Sequence, residues 1–433
     1  METSSTALLT DQYELTMLAA ALADGSAERQ CTFEVFARRL PNGRRYGVVA
    51  GTGRVLEALE RFRFGPEELA VVSRFLDTRT VEWLRDYRFT GEIDGYAEGE
   101  LYFPGSPILT VRGSFGDGVV LETLILSILN HDSAIASAAA RMVSAAAGRR
   151  MIEMGSRRTH ELAAPSSSRA AYLAGFDTTS NLEAARRFGV PSAGTSAHAF
   201  TLLHSGADGT HEKAAFRSQV ESQGVGTTLL VDTFDITQGV ANAIEVAGPE
   251  LGAVRLDSGD LGVLAKQVRD QLDSLGATGT RIVVSGDLDE YAIAALRGDP
   301  VDVYGVGTSL VTGSGAPTAG MVYKLVEVDG VPVAKRSSHK ESRGGTKKAI
   351  RLSRHTGTIV EEIVYPAAGS MPDTNGYEVR ELQVPLVREG KVLDGLPTLE
   401  QSRELVKQGL VSLPWEGLKL SAGEPAIPTT FIR

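Results

Sequence analysis

The chain has 433 residues, a length that predicts two or three domains rather than a single core. Its 42% hydrophobic and 23% charged residues are typical of a soluble globular enzyme. A net charge of −10, with no dense basic run away from glycines, argues against a nucleic-acid binder. The single cysteine, Cys31, excludes an internal disulfide framework and a zinc site built from several cysteines.

The sequence carries no signal of membrane attachment. The first residues lack the basic segment and apolar core of a signal peptide. No uncharged apolar run approaches the roughly 18 residues that a membrane-spanning helix needs. We therefore expect a cytoplasmic protein that does not contact a membrane.

The first part of the chain predicts helices and antiparallel strands. Residues 10–23 predict a helix capped by Thr10 or Asp11, with Tyr13 in its first turn. A strand at 31–36 leads into residues 38–45, which hold four arginines in eight positions. In an acidic protein this segment is either a solvated loop or an anion clamp, and the sequence leaves both open. Residues 66–118 then predict a helix pair followed by an antiparallel sheet.

A long alanine-rich helical stretch follows at residues 119–148. We expect it to break near residues 130–132, where Asn, His and Asp are adjacent. His131 would then make a capping or helix-break hydrogen bond rather than serve a catalytic role.

Residues 149–325 repeat one pattern: a short apolar run, then polar or glycine residues, then a helical segment. Seven such units are centred near residues 152, 174, 191, 229, 253, 281 and 303. Alternating strand and helix signals predict a parallel sheet, here one unit short of an eight-stranded barrel. Because the polar residues follow the strands, the carboxyl ends of the strands are the expected active face.

The last part of the chain differs again. Residues 324–335 predict a hairpin with Asp329-Gly330 as its turn. A basic, glycine-rich loop occupies residues 337–348, and a helix is expected near 399–408. We therefore predict three segments: an N-terminal α+β domain (1–118), an α/β barrel domain (119–325), and a C-terminal segment (326–433) that packs on the N-terminal domain.

One stretch, residues 252–261, concentrates charge at a strand end. Period-2 geometry places Arg255 and Asp257 on one face of the strand, and a core would not hold so many charges without partners. A helix cap would explain Ser258 or Asp260, but not the Arg-x-Asp pair before them. We therefore predict that the pair serves function.

The residues at the other strand ends are suited to binding phosphate groups. Arg157 and Arg158 offer rigid donor forks, and residues 305–309 form a glycine-rich turn, although not a Walker loop. Acidic residues follow several of the same strands: Asp232, Asp257, Asp260 and Asp287. Carboxylates beside phosphates suit Mg²⁺. No Gly-x-Ser-x-Gly elbow or zinc-type histidine pair is present.

His198 has two interpretations on local sequence alone. It follows a Gly-Thr turn at the predicted start of a helix, where an imidazole could act as a nucleophile or proton carrier near pH 7. A buried, hydrogen-bonded histidine would fit the same position.

Taken together, six segments resemble the nicotinate phosphoribosyltransferase family. In chain order they are residues 9–17, 153–158, 175–181, 194–198, 255–260 and 304–308. The resemblance implies a type II phosphoribosyltransferase fold, an irregular and incomplete TIM-like α/β barrel with an α+β domain built from both chain ends. It also implies synthesis of nicotinate mononucleotide from nicotinate and phosphoribosyl pyrophosphate (PRPP), as part of NAD salvage, coupled to ATP hydrolysis through a phosphohistidine.

The resemblance further implies roles for particular residues. His198 would carry the phosphoryl group, and Asp257 would position the ribose or Mg²⁺. The nicotinate-binding residues would be Tyr13, Thr195, Arg255 and Met154. The phosphate- and PRPP-binding residues would be Arg157, Ser285, Gly286, Gly307, Thr308, Arg38, Lys324 and Lys335. Phosphates would hold the Mg²⁺, and no protein ligand is assigned beyond Asp257.

The family pattern also implies a homodimer with shared active sites, in which Tyr13 comes from the neighbouring subunit.

Met154 departs from the family pattern, because many relatives have Phe at this position as a platform under the pyridine ring. A methionine can cover the same face through its sulfur. The alternatives are a phosphoribosyltransferase that uses nicotinamide or quinolinate, and a non-catalytic nucleotide sensor on the same scaffold.

Overall fold

The computed structural model describes residues 4–207, 209–335 and 342–432. Two compact units emerge from its contacts. Unit 1 combines Met1–Ser137 with Ala316–Arg433, and unit 2 is Ala138–Gly315. Unit 1 is thus assembled from both ends of the chain.

The secondary structure alternates helices and strands along most of the chain. The α-helices are α1 (Gln12–Asp24), α2 (Thr52–Glu60), α3 (Pro66–Val72), α4 (Thr78–Asp86), α5 (Phe115–Val119), α6 (Glu122–Ala146), α7 (Ala164–Leu173), α8 (Leu182–Phe188), α9 (His198–Leu203), α10 (Glu212–Gln223), α11 (Ile236–Ala247), α12 (Leu261–Ser274), α13 (Glu290–Ala295), α14 (Thr308–Val311) and α15 (Leu399–Ser412). The strands are β1 (Gln30–Ala37), β2 (Gly47–Val48), β3 (Glu92–Tyr96), β4 (Leu101–Tyr102), β5 (Leu109–Ser114), β6 (Arg150–Glu153), β7 (Thr178–Thr179), β8 (Thr228–Leu230), β9 (Ala253–Leu256), β10 (Arg281–Gly286), β11 (Val303–Val306), β12 (Met321–Val328), β13 (Val331–Pro332), β14 (Lys347–Ser353), β15 (Ile359–Pro366), β16 (Glu378–Glu381), β17 (Gln383–Arg388), β18 (Lys391–Val392) and β19 (Thr429–Phe431).

Unit 1 is organised around an antiparallel sheet of order β13-β12-β1-β5-β3-β17-β18. Strands from the two chain ends alternate in this sheet, so that Val35 of β1 lies opposite Leu109 on one side and Tyr323 on the other. All three side chains are buried in the main hydrophobic core of the unit. A second sheet, β16-β14-β15-β19, holds the last strand of the chain. The N-terminal helices and antiparallel strands predicted from sequence are confirmed.

Helix α6 runs unbroken from Glu122 to Ala146, so the predicted break near residues 130–132 is wrong. His131 Nδ1 lies 2.7 Å from Asp132 Oδ1, and Arg54 donates to the same carboxylate. Burial alone would raise the pKa of Asp132, but His131 and Arg54 outweigh burial and lower it. These contacts satisfy the hydrogen-bonding groups of the His131 and Asp132 side chains within the helix, so neither residue is needed as a helix cap.

The helical stretch Phe115–Ala146 is long and apolar enough to cross a membrane by length and composition alone. However, 67% of its most apolar window is buried inside the protein. This is the pattern of a core helix, because its apolar side chains already pack against protein.

Unit 2 contains a parallel sheet of order β7-β6-β11-β10-β9-β8. A single parallel bridge from Thr179 to Ser192 adds one more position beside β7. The strand predicted near residue 174 is misplaced, because α7 continues to Leu173 and the strand is Thr178–Thr179. In the described part of the unit no strand joins Ser192 to β8, so the sheet remains open.

The C-terminal predictions agree with the structure where residues are described. Strands β12 and β13 form the predicted hairpin, and Asp329 and Gly330 both have positive φ, as a two-residue hairpin turn requires. The predicted helix near 399–408 is α15, which extends to Ser412. Within the predicted basic loop, residues 336–341 lie outside the described residues.

A buried charge cluster joins Arg351 of β14 and Glu362 of β15 to Glu100, the residue before β4. Arg351 lies 2.5 Å from Glu100 and 2.6 Å from Glu362, and all three side chains are almost fully buried. Burial alone would raise the pKa of Glu100, but Arg351 and Arg380 outweigh it and hold that pKa below its ordinary value. Buried ions of this kind are stable only as a set, since each charge compensates another.

Replacing Arg351 with leucine should therefore destabilise the protein strongly. Breaking a buried ion pair costs about 3–5 kcal/mol, because the remaining charge stays buried without compensation. Arg29→Ala is the control, since its pair with Asp329 is half-exposed on both sides and is expected to contribute at most about 1 kcal/mol. Urea unfolding followed by circular dichroism measures both variants. Equal midpoints for Arg351→Leu and the wild type would contradict this account.

Candidate active site

The guanidinium of Arg255 is held at the carboxyl end of the parallel sheet of unit 2. Its Nε donates to Ser285 Oγ at 3.0 Å, one terminal nitrogen donates to the Ser196 carbonyl at 3.4 Å, and the other lies 3.4 Å from Asp257 Oδ1. The Ser285 hydroxyl also donates to Asp257. The predicted pairing of Arg255 and Asp257 on one strand face is confirmed by this contact.

Asp232 contacts the residues at and after Asp257, next to the Arg255–Asp257 pair. Its Oδ2 accepts the backbone N–H of Asp257 at 2.8 Å and the hydroxyl of Ser258 at 3.1 Å. Its side chain is 1% exposed, and its Oδ1 has no hydrogen-bond partner among the described residues. A buried carboxylate oxygen without a donor is costly, so this atom can accept a further hydrogen bond or a cation.

His198 is the first residue of α9 and approaches both carboxylates. Its Nδ1 lies 3.1 Å from Thr233 Oγ1, while its Nε2 lies 3.8 Å from Asp232 Oδ1 and 3.9 Å from Asp257 Oδ2. The side chain is 39% exposed. The hydroxyl of Thr233 contacts the ring through Nδ1, and Nε2 faces the two carboxylates.

Asp257 is held in its ionised form. Burial would raise its pKa, but the hydrogen bond from Ser285 and the positive charge of Arg255 outweigh burial and lower it. The carboxylate is therefore charged at neutral pH and faces the imidazole of His198.

Two cavities of about 730 and 580 Å³ open at this end of the sheet. Both are lined by Met154, Arg157 and Arg255. The larger one is polar and adds Asp257, Ser285, Gly286, Asp287, Gly307 and Thr308. The smaller one adds Thr195, Ser180, Ile152 and Val283 and is more apolar. A ligand with a flat ring and a phosphorylated part could occupy both, with Arg255 at the junction.

Three of the glycines that line the larger cavity, Gly286, Gly305 and Gly307, determine its local backbone geometry. A side chain at Gly305 would place its Cβ 2.7 Å from the Met154 sulfur, so the missing side chain lets Met154 lie across β11. Gly286 has a φ of +136°, which side chains disfavour, and it brings the backbone close to the Asp257 carbonyl. Gly307 precedes the four-residue helix α14.

The structure thus brings together most of the residues predicted for the site. Those that line the two cavities are Met154, Arg157, Thr195, Arg255, Asp257, Ser285, Gly286, Gly307 and Thr308. His198 joins them through its approach to Asp257. Sequence reasoning placed Asp232 among the acidic residues of the active face, but it assigned no site role to Ser196 or Thr233.

The other predicted residues belong to unit 1. Tyr13 is 46% exposed on α1, and burial followed by the nearby charge of Glu122 raises its pKa to about 12. Lys324 lies 3.6 Å from Glu122, and Lys335 is exposed after β13. Arg38 lines a separate cavity of unit 1. Their roles in substrate binding remain predictions.

The described residues contain no group of three or more His, Cys, Asp and Glu side chains arranged to hold a metal ion. The free Oδ1 of Asp232 and the nearby carboxylate of Asp257 supply two oxygen ligands. Mg²⁺ commonly takes one or two protein carboxylates and completes its shell with water and phosphate oxygens. The donor set therefore fits Mg²⁺ bound together with a phosphorylated ligand.

Comparisons with known proteins agree across nearly the whole chain. Residues 8–130 match the nicotinate phosphoribosyltransferase (NAPRTase) N-terminal domain, and residues 149–358 match the NAPRTase family. The Mycobacterium tuberculosis nicotinate phosphoribosyltransferase pncB1 is 68% identical over 98% of this chain and 95% of its own length. The Homo sapiens nicotinate phosphoribosyltransferase is 32% identical over 95% and 92%.

Solved structures show the same fold. Human nicotinic acid phosphoribosyltransferase matches with a TM-score of 0.83 and 28% identity over 97% of each chain. The nicotinate-nucleotide pyrophosphorylase of Pyrococcus furiosus matches with a TM-score of 0.78 and 26% identity over 94% of this chain and 96% of its own. The fold is therefore a mixed α/β arrangement with a curled parallel sheet.

Ser285→Ala tests how the site holds Asp257 in its charged form. Losing the hydrogen bond should raise the pKa of Asp257 toward the ordinary value of about 3.9. In the wild type, the contribution of this carboxylate to stability is present above that ordinary value and is lost as the pH falls through the lower folded pKa. In the Ser285→Ala variant, the contribution of Asp257 to stability should be lost at a higher pH. Carbon-13 NMR of labelled aspartates against pH measures the shift.

Ser258→Ala is the matched control, because that hydroxyl bonds to Asp232 instead of Asp257. It should leave the pKa of Asp257 unchanged. An unchanged pKa in Ser285→Ala would mean that Arg255 alone keeps Asp257 ionised.

Proposed function

The chain belongs to the nicotinate phosphoribosyltransferase family, and we propose that it couples synthesis of nicotinate mononucleotide to ATP hydrolysis through phosphorylation of His198. Its substrates are nicotinate and PRPP, and ATP is the proposed co-substrate. The open parallel sheet then corresponds to an incomplete TIM-like barrel, and we propose that the enzyme acts in the cytoplasm.

The observation that carries this proposal is the position of Arg255 at the junction of the two cavities. Ser285, Asp257 and the Ser196 carbonyl fix its guanidinium, so little conformational entropy is lost when it binds a ligand. A guanidinium binds a carboxylate more strongly than a neutral amide, through charge-assisted hydrogen bonds. This favours nicotinate over nicotinamide, with the ring in the smaller cavity beside Met154 and Thr195.

The larger cavity suits the phosphoribosyl group. We assign the 5′-phosphate to the turn at Gly307 and Thr308, and the pyrophosphate to Arg157, whose side chain is exposed and has no ion-pair partner among the described residues. Ser285 and Gly286 would contribute further hydrogen bonds. Backbone N–H groups at glycine turns approach phosphate oxygens without steric hindrance.

The reaction requires one bond to break and one to form. The C1′–O bond to pyrophosphate breaks, and pyrophosphate leaves with the bonding electrons. The lone pair of nicotinate N1 then forms the new C1′–N bond. Positive charge develops at C1′ meanwhile, and the ionised carboxylate of Asp257 is placed to stabilise it. Mg²⁺ held by Asp257 and Asp232 would offset the charge of the departing pyrophosphate.

We propose that His198 accepts the γ-phosphoryl group of ATP at Nε2, and the contact of Thr233 with Nδ1 supports this choice of nitrogen. The ATP Pγ–O bond breaks with the electrons going to ADP, and an Nε2–P bond forms. Because His198 Nε2 lies 3.8 Å from Asp232 Oδ1 and 3.9 Å from Asp257 Oδ2, a phosphoryl group on Nε2 would be close to both carboxylates. Arg157 and the metal would have to offset this repulsion. Phosphorylation of His198 therefore changes the affinity of the site for charged ligands. Such a difference in affinity between the phosphorylated and unphosphorylated protein can drive a conformational shift.

We further propose a homodimer in which the neighbouring subunit supplies Tyr13 and Arg38. Tyr13 is exposed on α1 beside Leu9 and Met17, which are also exposed. Large apolar side chains grouped on a surface favour an interface. The tyrosine ring would then stack on the pyridine ring.

Arg255→Ala should raise the KM for nicotinate by about 10- to 100-fold, since charge-assisted hydrogen bonds contribute roughly 1.5–3 kcal/mol. Activity with nicotinamide should change much less, because that substrate has no carboxylate. Steady-state assays with nicotinate, nicotinamide and quinolinate measure the preference. Arg281→Ala, at the amino end of β10, is the control. An unchanged KM for nicotinate would exclude this role of Arg255.

His198→Ala should keep slow, ATP-independent synthesis of nicotinate mononucleotide but lose stimulation by ATP. Incubation with γ-labelled ATP should give an acid-labile, base-stable label on the wild type and none on this variant. His204→Ala is the control, since His204 follows the same helix and bonds to the Phe200 carbonyl. Label that persists in His198→Ala would place the phosphoryl acceptor on another residue.

A further inference from the structure

The segment 178–181 lies beside the smaller cavity of unit 2, and the proposed function gives it no role. Strand β7 pairs in parallel with β6, so that Thr179 lies beside Glu153. On its other side the backbone of Thr179 forms two hydrogen bonds of 2.9 Å with the stretch 191–197. This stretch and the turn at 154–157 both contribute residues that line the cavity. The segment therefore connects two parts of the cavity wall.

Glu153, at the end of β6, is a buried carboxylate without a cation. It is 1% exposed and forms no ion pair with any residue that the structure describes. Three neutral groups donate to it instead: the Thr179 hydroxyl at 2.5 Å, the Ser168 hydroxyl at 2.8 Å and the backbone N–H of Gly155. Because a buried charge without a cation is costly, these three hydrogen bonds are needed together. Glu153 thus ties the turn after β6 to β7 and α7.

Asn181 holds the same turn from a second direction. Its Nδ2 donates to Ser156 Oγ at 3.0 Å, while its Oδ1 accepts the backbone N–H of Ala184 at 2.8 Å as the N-cap of α8. Its own backbone N–H donates to the Thr179 hydroxyl oxygen at 3.0 Å. Only the oxygen of the amide can cap the helix, so the amide nitrogen must face Ser156.

The turn itself has little room to move. A Cβ at Gly155 would collide with the Val311 side chain and would lie 3.1 Å from the Gly307 carbonyl oxygen. Gly155 therefore packs against the glycine turn to which the 5′-phosphate is assigned. Arg157, two residues further on, has an exposed side chain without an ion-pair partner among the described residues. The position of its guanidinium consequently depends on how the backbone of the turn is held.

We propose that Glu153, Thr179 and Asn181 are positioning residues that hold the turn after β6. Through this turn they direct the Arg157 guanidinium toward the pyrophosphate end of PRPP, and the inference rests on the proposed function, which places the pyrophosphate there. None of the three needs to touch a substrate. If the turn were not held, binding would have to order it together with the arginine, and affinity for PRPP would fall.

Asn181→Ser tests the contact with Ser156. Serine caps a helix about as well as asparagine does, so α8 should remain intact, but its side chain is too short to reach Ser156. The KM for PRPP should rise by about two- to tenfold, the cost of ordering one long side chain on binding. The KM for nicotinate should change much less, because Arg255 is held by other partners. Initial-rate assays on the full-length chain measure both values.

Ser156→Ala removes the other partner of this contact and should raise the KM for PRPP to the same extent. Ser156→Thr keeps the hydroxyl and should restore the wild-type value. Asp77→Ser is the matched control, because Asp77 is the N-cap of α4 in unit 1 and serine can replace it there too. It should leave both KM values unchanged.

Thr179→Val tests the contact with Glu153, because valine keeps the shape of threonine and lacks the hydroxyl. This variant should also raise the KM for PRPP, and Thr179→Ser, which retains the hydroxyl, should restore it. If Thr179→Val left this KM unchanged, Glu153 and Thr179 would have no positioning role.

A double-mutant cycle separates positioning of Arg157 from general damage to the site. In the Arg157→Ala background, neither Asn181→Ser nor Thr179→Val should raise the KM for PRPP further. Fully additive effects would show that these residues do not act through Arg157. An unchanged KM for PRPP in Asn181→Ser would overturn the role of Asn181 while leaving the enzymatic function intact.

A binding measurement keeps this inference separate from the proposed function. If the wild type formed no nicotinate mononucleotide, the proposed function would fail. Calorimetric titration with inorganic pyrophosphate would then still test how Arg157 is held. Weaker binding by Asn181→Ser than by the wild type supports the positioning role. Equal binding by the two proteins, or no binding by the wild type, overturns it.

Discussion

The site depends on one arrangement of charges: a guanidinium and two carboxylates at the carboxyl ends of adjacent parallel strands. Parallel pairing sets Leu230 beside Arg255 and Val283 beside Arg255, so the residues just after β8, β9 and β10 meet at one edge. Arg255 can stay half-buried and charged only because Asp257 and Ser285 compensate it. The same contacts keep the arginine in place for a ligand, and His198 is oriented against the resulting negative charge.

The arginines of unit 1 lie in two kinds of surroundings. Arg351 is buried between Glu100 and Glu362, so its charge is fully compensated and its contribution is to stability. Arg38 and Arg343 line a cavity and have no ion-pair partner among the described residues. An uncompensated cation in a cavity costs free energy until an anion binds.

The local patterns predicted more of the fold than the long-range pairing did. The hairpin at Asp329-Gly330 follows from turn chemistry that acts within a few residues, and it was located correctly. Helix α1 was also located correctly, although its N-cap residue Asp11 makes no side-chain capping hydrogen bond. The strand expected near residue 174 was misplaced because its alanine-rich start, which ends α7, satisfies either a strand or a helix pattern. The expected break in α6 failed for a different reason. Its His-Asp pair finds a distant partner, Arg54, which no local rule reveals.

The sequence by itself determined which residue types stand at the strand ends, because the strand-then-polar repeat and the Arg-x-Asp spacing are local features. It could not determine which charges would be compensated. Whether Asp232 Oδ1 is left free beside His198, or whether Phe431 meets Arg343, depends on residues far apart in the chain. Only tertiary structure brings such groups within the few ångströms over which hydrogen bonds and ion pairs act.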